Sequence, residues 1–293
     1  MELFATNIGM IANQKMLLEQ AGVVSGVTSR GIFVHLESDW IIFLSSEAFC
    51  GPLTVNLPAD SLRLQALEHG LPVRTQAGDL QFPAAGLTVH THEAAHWITP
   101  PKPLASLSAE MRKSRLISLA MQVLAARKSD GICALLAMLL DLPNQLSNGE
   151  NLKIDTTHAL KRLQQAIGSC QASEVIMALE PFLGFGFGLT PSGDDLVTGL
   201  MLALNRWGDL LKPGLEIEAL NRAVVHKAYS HTTTLSANLI ECATLGQADE
   251  RLISALDGLL SGQPEIDICA NNLLAWGNSS GCDALVGMAL AIT

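Results

Sequence analysis

The sequence lacks the features of secreted, membrane-spanning and nucleic-acid-binding proteins. Its first residues, MELFATNIGM, have neither the basic start nor the apolar core of a secretory signal. No stretch reaches the roughly 18 uninterrupted apolar residues of a membrane span. Lysine and arginine total 18 against 28 aspartate and glutamate residues, which gives a formal charge of -10, and no basic run occurs. These absences predict a cytoplasmic protein that binds neither membranes nor nucleic acid.

Paired cysteine motifs are also missing. The six cysteines are scattered, and no two of them form a C-x-x-C pair. A chain of 293 residues with 48% hydrophobic content can bury a large core without disulfides, so we expect reduced thiols in or near the core. Cys282 stands apart from the others because it lies inside a repeated motif described below. The apolar surplus also leaves residues for a subunit interface, which favours an oligomer.

The chain divides into two parts with different hydrophobic patterns. Short apolar runs such as GIFVHLE and WIIFLS fill the first hundred residues and predict strands, with one or two short helices among them. The segment TPPKP, residues 99–103, marks the boundary because prolines end strand pairing. Helix-length apolar patterns follow it, with glycines such as Gly208 and Gly246 at the expected stops. The sequence therefore predicts an α+β protein. A β-rich domain, a small barrel or sandwich, spans residues 1–103, and an all-helical domain spans residues 104–293.

One motif in the first part imitates a zinc site. HEAAH, residues 92–96, matches the H-E-x-x-H signature, which requires both histidines on one face of a continuous helix. A strand pattern precedes it and Pro100 follows closely, so we expect histidines at a strand end and no metal centre. His90 and His92 share a strand face, which leaves room only for weak adventitious metal binding.

One motif occurs twice in the helical part. SGDDLVTG begins at Ser192 and SGCDALVG begins at Ser280, 88 residues later. Each copy is Ser-Gly-x-Asp, then a glycine, then an apolar helix. Ser-x-x-Asp is a capping box, so helix capping alone explains a single copy. The agreement through both glycines, and the run GFGFG ahead of the first copy, indicate a binding site built from two helix starts.

Helix starts with exposed backbone N–H groups bind small anions. GFGFG is neither a P-loop nor a dinucleotide fingerprint, so no nucleotide is indicated. Between the two copies, polar residues on one helix face predict a substrate wall or a core network. The candidate substrate-binding residues are Gly188, Thr190, Ser192, Gly193, Ser280, Gly281, Thr234 and Asn238.

The candidate catalytic residues are Asp194, Asp195 and Asp283, and three roles fit them. They can cap their own helices, hold a divalent cation that bridges to phosphate, or accept hydrogen bonds from an amide or carbamoyl NH2. Oxygen ligands would favour Mg²⁺ over zinc, although the sequence requires no cofactor.

Three blocks resemble those of a known bacterial family in order and spacing. They are GFGLTPSGDDLVTGLMLAL, TTLSANLIECATLG and GNSSGCDALVGMAL. The family is associated with the third subunit of oxamate carbamoyltransferase in anaerobic allantoin degradation, a part of purine catabolism. Asn278 stands where the family often has histidine, so no imidazole role is supported there.

The resemblance implies a transferase made of three different subunits, which interconverts oxalurate plus phosphate with oxamate plus carbamoyl phosphate. This chain would be one subunit, binding partner subunits and a small anionic substrate: carbamoyl phosphate, oxamate, oxalurate or phosphate. Two other classes stay open. One is a non-catalytic anion-binding or scaffolding subunit. The other is a standalone metal-dependent hydrolase, but the helical part lacks the His/Cys cluster that such an enzyme would use to bind its metal.

Overall fold

A computed structural model describes residues 1–58, 67–127, 131–143 and 154–293. It divides into two compact units, Met1–Pro100 and Pro101–Thr293. The first unit is built on a sheet and the second on helices, so the predicted α+β class is confirmed.

Over its described residues, the first unit contains one continuous sheet of ten strands, in the order β1-β9-β8-β7-β3-β4-β5-β6-β2-β10. Most neighbours are antiparallel, while the pairs β1–β9, β5–β6 and β2–β10 are parallel. A short helix, α1 (Met10–Met16), follows β2. The strands are β1 (Glu2–Phe4), β2 (Asn7–Gly9), β3 (Gln20–Thr28), β4 (Gly31–Leu36), β5 (Ile41–Ser45), β6 (Thr54–Asn56), β7 (Pro72–Gln76), β8 (Asp79–Phe82), β9 (Leu87–His90) and β10 (Ala95–Trp97).

The sheet is curled. Strand β1 forms one end of it and β2 lies next to the other end, yet only Ala5 and Thr6 separate them in the chain. Two residues span too little distance to cross a flat sheet of ten strands, which lie about 4.8 Å apart. The two ends must therefore curve toward each other, which resembles the barrel alternative more than a sandwich. Alternating residues such as Ile32, Val34 and Leu36 fill the concave core.

The second unit is helical over the residues that the structure describes. Its helices are α2 (Ala109–Ala126), α3 (Leu135–Leu139), α4 (Ile154–Ser169), α5 (Ala172–Leu179), α6 (Ser192–Leu211), α7 (Ile217–His231), α8 (Thr234–Thr244), α9 (Glu250–Ser261), α10 (Ile266–Ala275) and α11 (Ser280–Ile292). None of the helices in the described ranges combines the length and the apolar character needed to cross a membrane.

Helices α6 and α11 form the centre of this unit. Nearly every residue of both helices is buried, and they pack mainly against each other, with α8 and α10 beside them. Far from the start of α6, a buried ion pair fixes its second half. Arg206 donates to Asp257 at 2.8 and 2.6 Å, and the indole N–H of Trp207 donates to the same carboxylate at 2.9 Å.

Candidate functional site

Helices α6 and α11 carry the two copies of the motif and run side by side in the same direction. A methyl group on Gly199 would lie 2.0 Å from the carbonyl oxygen of Ala284, and one on Gly287 would lie 1.9 Å from that of Leu196. Exchanging the two copies turns one contact into the other, so an approximate two-fold relation links the helices. The hydroxyls of Thr190 and Ser280, at the start of α6 and of α11, lie 3.2 Å apart, so both helices begin at the same end of the unit.

The first glycine of each copy also serves backbone packing. A methyl group would lie 2.0 Å from the carbonyl oxygen of Phe182 at Gly193, and 2.0 Å from that of Leu273 at Gly281. Their amides are also occupied. The Gly193 N–H donates to Phe185 at 2.8 Å, and the Gly281 N–H donates to the Trp276 carbonyl at 3.0 Å. These two N–H groups therefore already have acceptors and are not available to an anion. An anion at the helix starts would have to bind to neighbouring groups instead.

The aspartate of each copy interacts with the serine of the other copy. The hydroxyl of Ser280 lies against Asp195 and lowers the pKa of that carboxyl, which burial and the charge of Asp283 raise. The hydroxyl of Ser192 acts in the same way on Asp283. Residues 88 positions apart in the chain thus form one crosswise group of two carboxyls and two hydroxyls, which we call the aspartate pair with its serines.

Helix capping does not account for this arrangement. Helix α6 begins after Pro191, and α11 begins after Ser279, without a side-chain cap at either start. Other helices of the unit are capped in the ordinary way: Ser108 accepts from the Met111 amide, and Thr233 accepts from the Ser236 amide. The capping box that the motif suggested is therefore not formed, and both aspartates are turned toward the opposite helix.

Both aspartates are buried, and each keeps one oxygen without a partner. Oδ2 of Asp195 and Oδ2 of Asp283 have no hydrogen-bond partner among the described residues. Burial raises the pKa of Asp195 well above its usual range, and the charge of Asp283 raises it further. Burial likewise raises the pKa of Asp283, to about 6. A buried polar atom without a partner costs free energy, so it requires an explanation such as a bound group.

A loop before α3 holds Asp283 in place. The N–H of Ile132 donates to Oδ1 of Asp283 at 2.7 Å. A side chain at Gly131 would come within 2.4 Å of the same oxygen, so glycine is required where the backbone passes the carboxylate. Sequence reasoning missed this loop because the residues Gly-Ile-Cys carry no recognisable motif.

Hydroxyl groups surround the pair on its partly exposed side. Thr190 and Ser280 share a hydrogen bond of 3.2 Å between their hydroxyls, and Thr190 also lowers the pKa of Asp195. Thr190, Ser192 and Ser280 are half-buried, whereas the two aspartates are fully buried. The hydroxyls therefore offer the more accessible contacts, and the carboxyls lie deeper.

Asp194 has a different set of partners. Its Oδ1 accepts from the Gly184 N–H at 2.8 Å, and its Oδ2 accepts from the Thr232 hydroxyl. Burial raises the pKa of Asp194, while these bonds lower it. Asp194 thus ties the GFGFG loop to the link between α7 and α8, although its charge also contributes to the raised pKa of Asp195.

The GFGFG loop lies ahead of α6 and is largely exposed. Gly186 has a φ of 116° and passes the Ser192 amide so closely that a methyl group would lie 2.9 Å from its nitrogen. Gly188 has a φ of 100° and open space around it. Phe187 between them is 98% exposed, which is unusual for a phenylalanine.

The polar face of α8 forms a hydrogen-bond network with α7. The Asn238 amide donates to the Tyr229 hydroxyl at 3.0 Å, and that hydroxyl donates to Glu241 at 2.7 Å. Thr234 is the first residue of α8 and is half-buried. These contacts of Asn238 fit the core-network alternative, and its place in a substrate wall stays a prediction.

Two other sequence expectations concern cysteine and histidine. Cys282 is buried, and burial together with the charge of Asp283 raises the pKa of its thiol to about 12, which makes it a poor nucleophile. In HEAAH, His92 follows β9 and His96 lies in β10, so these residues do not form the helix that a zinc protease needs.

These observations define a class: a two-unit protein whose helical part pairs Ser-Gly-x-Asp helix starts around buried carboxyls. Residues 182–292 match the model of the family described as oxamate carbamoyltransferase subunit AllH, so this segment of the chain is similar to that family. The match spans α6 to α11 and includes both copies of the motif, which confirms the resemblance. No solved structure matches the chain.

Proposed function

We propose that this chain supplies the substrate site of an oxamate carbamoyltransferase, with a small anionic substrate held over the aspartate pair and its serines. The observation that carries the proposal is the crosswise contact of Asp195 with Ser280 and of Asp283 with Ser192. The match of residues 182–292 to a family of carbamoyltransferase subunits supports a role within a complex of partner subunits. The cysteines are buried or half-buried and form no disulfide among the described residues, which fits a reducing compartment, so we place the complex in the cytoplasm, in allantoin degradation.

The charge of the site fits a small anion once the protons are counted. Burial raises the pKa of Asp195 well above its usual range and the pKa of Asp283 to about 6, so a proton shared by the pair is favoured over two ionised carboxyls. A pair that shares one proton carries one negative charge. Two helix N-termini, each equivalent to roughly half a positive charge, offset it. A phosphate or carboxylate can therefore approach the Ser192 and Ser280 hydroxyls without facing two full negative charges.

The same shared proton suits the reaction. An oxygen of phosphate attacks the carbonyl carbon of the carbamoyl group of oxalurate, and the bond from that carbon to the oxamate nitrogen breaks. Phosphate gives up its proton, and the leaving nitrogen takes one up, so the products are carbamoyl phosphate and oxamate. Asp283 can accept the proton from phosphate while Asp195 donates one to the nitrogen. The hydroxyls of Ser192, Ser280 and Thr190 can donate to the carbonyl oxygen as it becomes negative.

A hard divalent cation such as Mg²⁺ would find suitable ligands in the two unpartnered carboxyl oxygens. A cation there would replace the shared proton as the group that offsets the buried charge. Treating the complex with a chelator and then restoring Mg²⁺ separates these two forms of the site, because only the cation-dependent form loses activity on chelation.

The experiment reconstitutes the chain with its partner subunits and measures carbamoyl phosphate formed from oxalurate and phosphate. General acid–base groups contribute about 10²–10⁴-fold, so Asp195→Asn and Asp283→Asn should each lower the rate by at least about 100-fold. Asp209→Asn is the matched control, because Asp209 lies on the same helix, is exposed and forms its ion pair with Lys102, away from the aspartate pair. A double variant, Asp195→Asn with Asp283→Asn, that keeps the wild-type rate would rule out the catalytic assignment. If that variant still loses binding of phosphate or oxamate, the site is an anion-binding site of a non-catalytic subunit.

A further inference from the structure

A cluster of metal-ligating side chains lies in the first unit, away from the HEAAH signature. It is formed by Asp79 at the start of β8, His90 at the end of β9, and His92 just after it. One ligand atom from each of the three lies within 4.8 Å of the others. Among the described residues, Asp79, His90 and His92 are the histidine, cysteine or acidic side chains that lie close enough together to share a metal ion.

The imidazole of His90 is held from both sides. Its Nδ1 lies 2.7 Å from Oδ2 of Asp79, and its Nε2 contacts the carboxylate of Glu2 on β1. The other oxygen of Asp79 accepts from the Thr91 N–H at 2.9 Å, which fixes the orientation of that carboxylate. The pairing of β1 with β9 brings Glu2 beside His90, although 88 positions separate them.

An aromatic side chain packs against both histidines. Phe4 stacks on the His90 ring with centroids 5.0 Å apart and meets the His92 ring edge-on at 6.3 Å. The two imidazoles are themselves 5.7 Å apart. Both rings are thus held next to each other before any ligand binds, which lowers the entropic cost of binding an ion.

We propose that Asp79, His90 and His92 bind a divalent transition metal ion such as zinc. Two imidazole nitrogens and one carboxylate oxygen form a ligand set that zinc and its neighbours in the first row accept, and three protein ligands leave a position for water or an anion. His90 binds through Nδ1, the nitrogen that faces Asp79. Glu2 accepts the N–H on Nε2 of His90, and a carboxylate in this position orients a metal-ligating histidine.

Of the three proposed ligands, only His92 belongs to the zinc-protease signature HEAAH. Glu93 and His96 take no part, and Asp79 comes from a neighbouring strand. Because the ligands lie on paired strands of one sheet rather than on a helix, the spacing of HEAAH has no bearing on the geometry. The site is also independent of the aspartate pair, so either proposal can fail without the other.

The test uses the full chain, stripped with a chelator and titrated with Zn²⁺ against a chromophoric chelator. We expect one tightly bound equivalent in the wild type, and loss of that equivalent in His90→Asn and in His92→Asn. His92 is largely exposed, so its variant keeps the test valid even if His90→Asn fails to fold. Glu2→Gln should weaken binding by about 10–100-fold while keeping the stoichiometry, as removal of an orienting partner does.

Two controls decide the source of any bound zinc. His35→Asn removes a half-buried histidine that pairs with Asp39 at 3.3 Å, and it should leave binding unchanged. Asp283→Asn tests the helical unit instead. The proposal is overturned if the wild type binds no stoichiometric zinc, if both His90 and His92 variants bind as the wild type does, or if Asp283→Asn abolishes binding.

Discussion

Asp195 interacts with Ser280, the serine of the other motif, and not with a serine of its own helix. Asp283 accepts in the same way from Ser192 of the other helix, and it also accepts from Ser279, the residue just before its own helix. Because each carboxyl depends on a hydroxyl from the other helix, neither half of the site is complete when α6 or α11 is displaced. The aspartates, the serines and the helix packing that brings them together are therefore expected to respond jointly to mutation.

The first prediction concerns pH and the stability of the pair. The pKa of Asp283 is raised from 3.8 to about 6 in the folded protein. Between these two pH values Asp283 holds a proton in the folded state that it has released in the unfolded state, so the free energy of unfolding falls as the pH rises. Above pH 6 the folded protein bears the full cost of burying the ionised Asp283 carboxylate. Asp283→Asn removes this cost. Its free energy of unfolding should exceed that of the wild type at pH 8, by up to about 3 kcal/mol, and the gain should shrink toward pH 4.

Urea denaturation at pH 5 and pH 8 measures this difference. Asp257→Asn is the matched control, because Asp257 is also buried but is paired with Arg206, so its replacement should destabilise the protein. A loss of stability in Asp283→Asn at pH 8 would contradict the raised pKa.

A second prediction compares two glycines on α6. Alanine at Gly199 would place a methyl group 2.0 Å from the Ala284 carbonyl oxygen and push α11 away, at a cost of about 1–3 kcal/mol or more. Alanine at Gly208 meets nothing closer than 3.6 Å, so it should stabilise the helix by about 0.5–1 kcal/mol. Thermal unfolding of the two variants should shift in opposite directions. Equal shifts would mean that α6 and α11 do not pack as closely as described.

A third prediction separates Asp194 from the aspartate pair. Asp194→Ala leaves the Gly184 N–H and the Thr232 hydroxyl without their acceptor, which should cost about 1–3 kcal/mol. The effect should be local, so amide hydrogen exchange should become faster in the GFGFG loop. Thr232→Val removes only one of the two contacts and should give a smaller change. Unchanged exchange in Asp194→Ala would show that the loop is held by other contacts.

A fourth prediction concerns cysteine reactivity. Because the pKa of Cys282 is raised to about 12 and its side chain is buried, iodoacetamide at pH 8 should not modify it in the folded protein. Cys170 is half-buried while the other five cysteines are buried, so it should react first. Mass spectrometry before and after unfolding measures both sites. Early modification of Cys282 would indicate that the start of α11 opens in solution.

The repeated motif made the centre of the helical unit predictable. The spacing of 88 residues, with glycines matched in both copies, indicated a site built from two helix starts, and the structure packs these two helices against each other at Gly199 and Gly287. The crosswise contacts could not be predicted, because a Ser-x-x-Asp sequence fits a capping box equally well and only the neighbouring helix decides between the two. The role of Ile132 was also hidden, since any residue can donate a backbone N–H.

In the first unit, the strands were predictable and their order was not. Alternating runs such as β4 identify strands by their own residues. The parallel pairs β5–β6 and β2–β10 join segments through contacts that no local pattern records. The cluster around His90 depends on this order, because β1 contributes Glu2 only through its pairing with β9.

The contact between Gly199 and Ala284 has a consequence for how the protein is made. Bringing Gly199 and Ala284 together closes a long segment of chain, which costs conformational entropy. Only the completed packing of α6 against α11 offsets this cost. While the ribosome has not yet released the segment from Ser280 onward, α6 exposes an apolar face and Asp195 has no counterpart. A nascent chain thus cannot form the crosswise contacts of Asp195 and Asp283 until α11 has emerged, and the period before that is when it most needs protection from aggregation.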